Sequence, residues 1–231
     1  MFNEHRGQMH LLYNKARTYF SKHPDQLIKL EKYLTDSLFT ILQNNIAEIK
    51  RDYNEASYLF PFWQNYPPDD RGRAPKGDQY PWIEVGEHTI GSKLPRFLEA
   101  NFAIKDTGIP TGADERFVLS NQDIKDITAG FTDTAWLFID IKSVGPRDDQ
   151  PHTVMSHNQV TGDGIWNKAK DGLINSVLRA TGKITGHDFH CSVPPIYVLS
   201  DKTVAPVVII ALKPVYKMLS IGQKSEGGQP L

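Results

Sequence analysis

Leu27, Leu30, Leu34, Leu38, Ile41, Leu42, Ile46 and Ile49 recur at three- and four-residue spacing. That is the apolar stripe of an amphipathic helix about 25 residues long. Pro24 and Asp25 suit its first turn, with proline near N1 and an acid at the positive end of the helix dipole. Residues 10–51 are therefore expected to be helical, as a scaffold or a dimer-packing element. From Tyr53 to Trp82 the period vanishes into "FPFWQNYPPDDRGRAPKGDQYPW", rich in Pro, Gly, charge and rings. Aromatics beside Arg71, Arg73 and Lys76 could grip a nucleic acid. Wrapping the scaffold and burying the rings is the commoner use of such a loop.

Strand-like runs follow. Residues 116–119 form a short one, and residues 135–141 a longer apolar one. Residues 196–199 and 204–212 are separated by Ser200-Asp201-Lys202-Thr203, a plausible hairpin turn. Near-continuous apolar runs predict strands covered on both faces, with helical cover from residues 10–51 and 167–180. The pattern predicts an α/β fold with an N-terminal helical segment. No internal repeat is visible. "SIGQKSEGGQPL", at the end, reads as a disordered tail.

Composition narrows the class. A chain of 231 residues, 39% hydrophobic and 23% charged, has the make-up of a globular protein with a real core. It is expected to form one domain over residues 1–231. Within it, 1–52 is the helical segment, 53–82 the loop, 83–218 the core and 219–231 the tail. No apolar run approaches a membrane span, the polar start does not resemble a signal peptide, and the single cysteine, Cys191, suits a cytoplasmic protein. The net charge of −1 does not by itself argue for nucleic acid. Its distribution matters more, because residues 61–150 hold 10 Lys/Arg against 15 Asp/Glu. An acidic middle is what a cation site needs, and also what a solvated surface looks like.

Several chemistries drop out. There is no phosphate-cradling Gly-Lys-Ser/Thr loop, no Gly-x-Gly-x-x-Gly after a strand, and no His-Glu-x-x-His. His187, His190 and Cys191 lie close in sequence but have no second cluster to complete a metal site. The acids remain. Asp-Ile-Lys occurs at 123–125 and again at 140–142. The first copy sits among charges, as on a solvated helix. The second ends an apolar strand, where an uncompensated carboxylate is costly, and alternation places Asp140 and Lys142 on one side of it. Asp114, in "GIPTGADERFVL", heads the strand-like run before it. If the two strands are neighbours, both carboxylates converge, and with a backbone carbonyl they make a hard-oxygen site suited to Mg²⁺. Lys142 would then hold the attacking water and neutralise charge growing on a phosphodiester. A plain Asp140–Lys142 salt bridge is the competing reading.

A longer likeness bears on that choice. "RDYNEA" (51–56), "NYPP" (65–68), "PKGDQ" (75–79), "PWIEVGE" (81–87), "GSKL" (91–94), "PTG" and "DER" (110–116), "GFTD" (130–133), "DIKSVGPRD" (140–148), "NQV" (158–160) and "LSD" (199–201) occur in order along nearly the whole chain. In these segments the chain resembles type II restriction endonucleases of the PD-(D/E)xK nuclease superfamily. The resemblance implies a restriction-endonuclease-like core with a mixed central β-sheet flanked by helices. It implies Asp114 and Asp140 as metal ligands, a carbonyl contribution from Ile141, and Lys142 as the catalytic lysine. Glu87 matches an acid near the active site. Asp148 fits a major-groove role, because a carboxylate can accept from cytosine N4, and Arg147 could reach a phosphate or guanine. A surface Arg147–Asp148 pair, and a surface Glu87, are the bland alternatives.

The implied activity is Mg²⁺-dependent hydrolysis of double-stranded DNA by a homodimer. It would act at an interrupted, G·C-rich palindrome and leave 5′-phosphate and 3′-hydroxyl ends. No organic cofactor is implied. The resembling enzyme continues past the position of Leu231 through a basic region. A C-terminally shortened relative is therefore the expectation, with weak DNA binding, a shallow salt dependence and apolar surface exposed on residues 204–212. A relative that binds DNA without site-specific cutting is the alternative.

Overall fold

The structure, a computed structural model, describes residues 2–55, 89–106, 114–141, 159, 161, 165–166, 189–190, 193–214, 216–218 and 228–230. Three helices open the chain: α1 (Phe2–Lys22), α2 (Pro24–Asn44) and α3 (Ile46–Glu55). Pro24 sits in the first turn of α2 with Asp25 beside it, as the helix-start pattern predicts. Leu30, Leu34, Leu38 and Ile41 are its buried stripe. The single long helix expected from the periodicity is interrupted at Asn45. There the Asn45 carboxamide donates to the Ile41 carbonyl at 2.8 Å, beside backbone bonds from Asn45 N to Ile41 and Leu42. A short polar side chain thus competes with the helix's own ladder and ends it. Ile49 of α3 still reaches the same core, so the apolar period survives the break. Helix α3 also runs on to Glu55, past the expected boundary at residue 52.

The short helix α4 (Leu94–Leu98) leads into β1 (Ala103–Asp106) and β2 (Glu115–Ser120). Helix α5 (Gln122–Ile127) then connects to β3 (Thr134–Ile141). Beyond lie β4 (Ile165–Trp166), β5 (Phe189–His190), β6 (Ile196–Val198), β7 (Val204–Leu212), β8 (Tyr216–Met218) and β9 (Gly228–Pro230). Five of these strands form a mixed sheet in the order β1-β2-β3-β7-β6, antiparallel except for the parallel β3–β7 pair. The expected hairpin at 200–203 is present between β6 and β7. Strands β8 and β9 pair with each other, so residues 228–230 carry a strand where a disordered tail was expected. Strand β7 is paired by β3 along residues 207–212 and by β6 along residues 204–206. Within it residues 205–208 are buried, and Val204 and residues 209–212 are half-buried.

Every residue of β3 is buried, because the strand has a core on each side. Leu137, Ile139 and Ile141 join Phe117, Leu119 and Val208 beneath the α2 stripe. Trp136 and Phe138 face the other way and pack with Val118, Val193, Ala205 and Val207. Each such side chain contributes about 1.5–3 kcal/mol on burial, so β3 is the most firmly held strand of the sheet. On the α2 side, α1 places Ala16 and Phe20 against Ile196 of β6, whose partner Pro206 shares a face with Val208. The expected helix at 167–180, the rest of the expected loop (56–82) and residues 219–227 lie outside the described residues.

Candidate active site

The functional question turns on the last two residues of β3. Glu115 pairs with Ile139, so continuing the antiparallel register by one residue sets Asp114 across from Asp140. A strand alternates faces, and Asp140 therefore shares the side of Trp136 and Phe138. The neighbouring-strand condition posed by the sequence is met. Asp114 closes the junction itself: its Oδ2 accepts from the Ile141 amide at 2.6 Å. The exposed carboxylate of one strand thereby caps the end of the other.

Asp140 is 1% exposed, an acid inside a packed layer. Its Oδ1 accepts from Gln159 Nε2 at 2.6 Å. Gln159, which residue-by-residue reading gave no role, is thus in contact with the candidate site. The only hint lay in "NQV", a segment of likeness to which no role was attached. Gln159 is brought in by its neighbourhood: Thr161 bridges to Val193, and its hydroxyl donates to the Pro194 carbonyl at 3.1 Å. Val193 packs with Trp136 and Phe138, the layer that Asp140 closes.

Glu115, next to Asp114, faces the opposite side of the sheet. A Cβ built on Gly91 would lie 2.5 Å from Glu115 Oε1, so a glycine is what lets this carboxylate come in against the chain ahead of α4. Two ion pairs, Lys93 with Asp52 and Arg96 with Glu48, tie the same region to α3. Glu87, Lys142, Arg147 and Asp148 lie outside the described residues. Asp114, Asp140 and Ile141 are the expected site residues that the structure brings together.

The other Asp-Ile-Lys behaves as its surroundings predicted. Asp123 and Lys125 are exposed on α5, and only Ile124 turns inward. Asp123 accepts from the Tyr33 hydroxyl at 2.9 Å, while Asn121 caps α5 by accepting from the Ile124 amide at 2.9 Å. Burial raises the Tyr33 pKa, the Asp123 carboxylate adds to the rise and the Asn121 carboxamide opposes it. The phenol stays a donor and Asp123 is committed to it.

Among the described residues no group of three or more His, Cys, Asp and Glu side chains gathers. The donors at the end of β3 are two carboxylates and the peptide backbone. That set fits a hard cation that completes its shell with water and substrate oxygens, as Mg²⁺ does, and not a soft or tetrahedral metal.

Residues 8–231 match the family described as Restriction endonuclease BglI. The chain belongs to that family. It is 45% identical over 233 residues to the type II restriction enzyme BglI of Bacillus subtilis, spanning 100% of this chain and 78% of that one. Its fold superposes on the crystal structure of restriction endonuclease BglI bound to its DNA recognition sequence with a TM-score of 0.81. Identity there is 42%, over 100% of this chain and 78% of that one. Tetrameric restriction endonuclease SfiI bound to cognate DNA gives a TM-score of only 0.46 at 14% identity, over 89% of this chain and 62% of that one. Membership of the BglI family makes the protein a restriction endonuclease, a site-specific deoxyribonuclease. The mixed sheet flanked by helices is the restriction-endonuclease core that the sequence likeness implied.

Proposed function

We propose that this chain hydrolyses phosphodiester bonds of double-stranded DNA with Mg²⁺ bound between Asp114 and Asp140. The observation that carries the reading is the junction itself, where Asp114 caps the Ile141 amide beside a buried Asp140. The ladder ends with both acids on one face, while the copy at 123–125 is spent on surface contacts. A divalent cation held there supplies positive charge that polarises the phosphodiester and acidifies a nearby water.

The protein's own residues do the rest. Asp114, Asp140 and the Ile141 carbonyl hold the cation and fix where the phosphate can sit. Lys142, two residues beyond Asp140, follows it onto the same face if the strand's alternation continues. There its ammonium orients the attacking water and offsets charge growing on the non-bridging oxygens. Glu87 supports the cation from the segment ahead of α4. Products end in 5′-phosphate and 3′-hydroxyl.

Specificity is assigned to Asp148, accepting from a cytosine N4 in the major groove, and to Arg147, on guanine or a phosphate. A homodimer matches an interrupted, G·C-rich palindrome, one protomer per half-site. The DNA-bound BglI structure supports a duplex as the partner. A cytoplasmic setting fits a chain with one cysteine, in which no described helix is long and apolar enough to cross a membrane. The test is incubation of the protein and its Asp140→Asn variant with long linear DNA, with and without Mg²⁺. Discrete fragments from the parent with Mg²⁺ alone are expected. Retarded but intact DNA would leave a binding protein, and cutting by Asp140→Asn would move the site elsewhere.

A further inference from the structure

The contact between Gln159 and Asp140 has chemical consequences that neither residue carries alone. A carboxylate only accepts, so the 2.6 Å contact from Nε2 fixes which end of the carboxamide faces Asp140. A carboxylate that is 1% exposed has little water to solvate it, and the N–H donated by Gln159 takes the place of a solvent donor. The donor is neutral. A lysine or arginine in its place would also hold the acid, but would cancel the charge that attracts a cation. A carboxamide orients the carboxylate and leaves that charge intact.

The Gln159 segment is itself held. Thr161 pairs with Val193, and the Thr161 hydroxyl reaches the Pro194 carbonyl at 3.1 Å. The Pro195 carbonyl accepts from Val207 N of β7 at 2.9 Å, which links the segment to the sheet that carries Asp140. The donor and its acceptor are therefore fixed to one frame.

We propose that Gln159 is a positioning residue that sets the orientation of the Asp140 carboxylate for cation binding; this rests on the reading of Asp140 as a site ligand. Hydrogen-bond partners behind ligating carboxylates typically change metal affinity or activity by about 10- to 100-fold when removed. The test compares parent, Gln159→Met, Gln159→Asn and Asp140→Asn by Mn²⁺ calorimetry on the protein, thermal melting, and the Mg²⁺ concentration giving half-maximal cleavage. Gln159→Met is expected to raise the Mn²⁺ and Mg²⁺ midpoints about 10- to 100-fold with melting close to the parent's. Gln159→Asn, one methylene short of Asp140, should shift them in the same direction. Should the methionine variant fail to fold, the asparagine variant decides alone by the same midpoints. Parent-like Mn²⁺ binding by a folded Gln159 variant overturns the inference and leaves the site reading standing. Parent-like Mn²⁺ binding by Asp140→Asn removes the site reading, and the inference with it.

Discussion

Asp114 makes one contact in the fold and has one proposed task at the cation, and paired substitutions tell them apart. Its Oδ2 takes the amide of Ile141, a residue 2% exposed, at 2.6 Å. A hydrogen bond to a charged acceptor contributes roughly 1.5–3 kcal/mol, but Asp114 is exposed, which puts this one near the low end. Asp114→Ala removes the acceptor and is expected to destabilise the fold by about 1–2 kcal/mol. Asp114→Asn keeps a carbonyl oxygen at the same reach, so a neutral hydrogen bond replaces a charged one and the loss stays below about 1 kcal/mol. Cleavage separates from stability, because a neutral carboxamide is a poor partner for a divalent cation. Both variants should lose at least about 100-fold in turnover, the scale of removing one electrostatic element from an active site. Urea denaturation read by circular dichroism gives the stability difference, and cleavage of long linear DNA at saturating Mg²⁺ gives the rate. An Asn variant cutting within about threefold of the parent would refute the ligand role. An Asn variant as unstable as the Ala variant would refute the capping contact.

Lys142→Ala should abolish cleavage while leaving folding and most DNA affinity intact, and Lys125→Ala should cut like the parent; single-turnover cleavage of both, beside a binding titration, checks this, and a reversed pair of outcomes would put the site on the wrong Asp-Ile-Lys. Asp148→Ala should relax discrimination at one base pair of each half-site by about 1–3 kcal/mol, read by selection from a randomised-site library, where unchanged preference at every position would return Asp148 to a surface pair. Asn121→Ala should cost about 0.5–2 kcal/mol of stability, because the side chain that caps α5 also donates to the Tyr33 hydroxyl at 2.8 Å; denaturant melts check it, with cleavage by the folded variant unchanged.

The elements that the sequence announced most clearly are those whose pattern has one physical cause. The α2 stripe and the unbroken apolar run of β3 are both set by burial against one core, and both lie where periodicity put them. Asn45 escaped because a single side chain competing for the Ile41 carbonyl leaves the apolar period untouched. Strand β9 escaped for another reason. Gly228, Gln229 and Pro230 have no strand pattern of their own and are paired by Met218, Lys217 and Tyr216 of the strand before them. Local preference says little where a partner strand supplies the hydrogen bonds.

The site divides along the same line. Asp140 could be found because a charge at the end of a buried strand violates the pattern around it. Such violations concentrate where function offsets their cost. Asp114 was reachable through register, once two strand-like runs were taken as neighbours. Gln159 carries no such signal, since a glutamine in a polar stretch breaks no rule of periodicity or charge. Its relation to Asp140 is made in the fold, where the Thr161–Val193 bridge and the packing of Val193 on Trp136 and Phe138 bring the two together. Of the two proposed ligands, the first is thus legible as a local anomaly, the second as a consequence of strand pairing. The side chain that contacts the first, Gln159, stays silent until the chain is folded. The same asymmetry separates the two Asp-Ile-Lys copies: identical in sequence, one is surrounded by water and one by core. Burial, not the motif, separates the two aspartates, with Asp140 1% exposed and Asp123 on the surface.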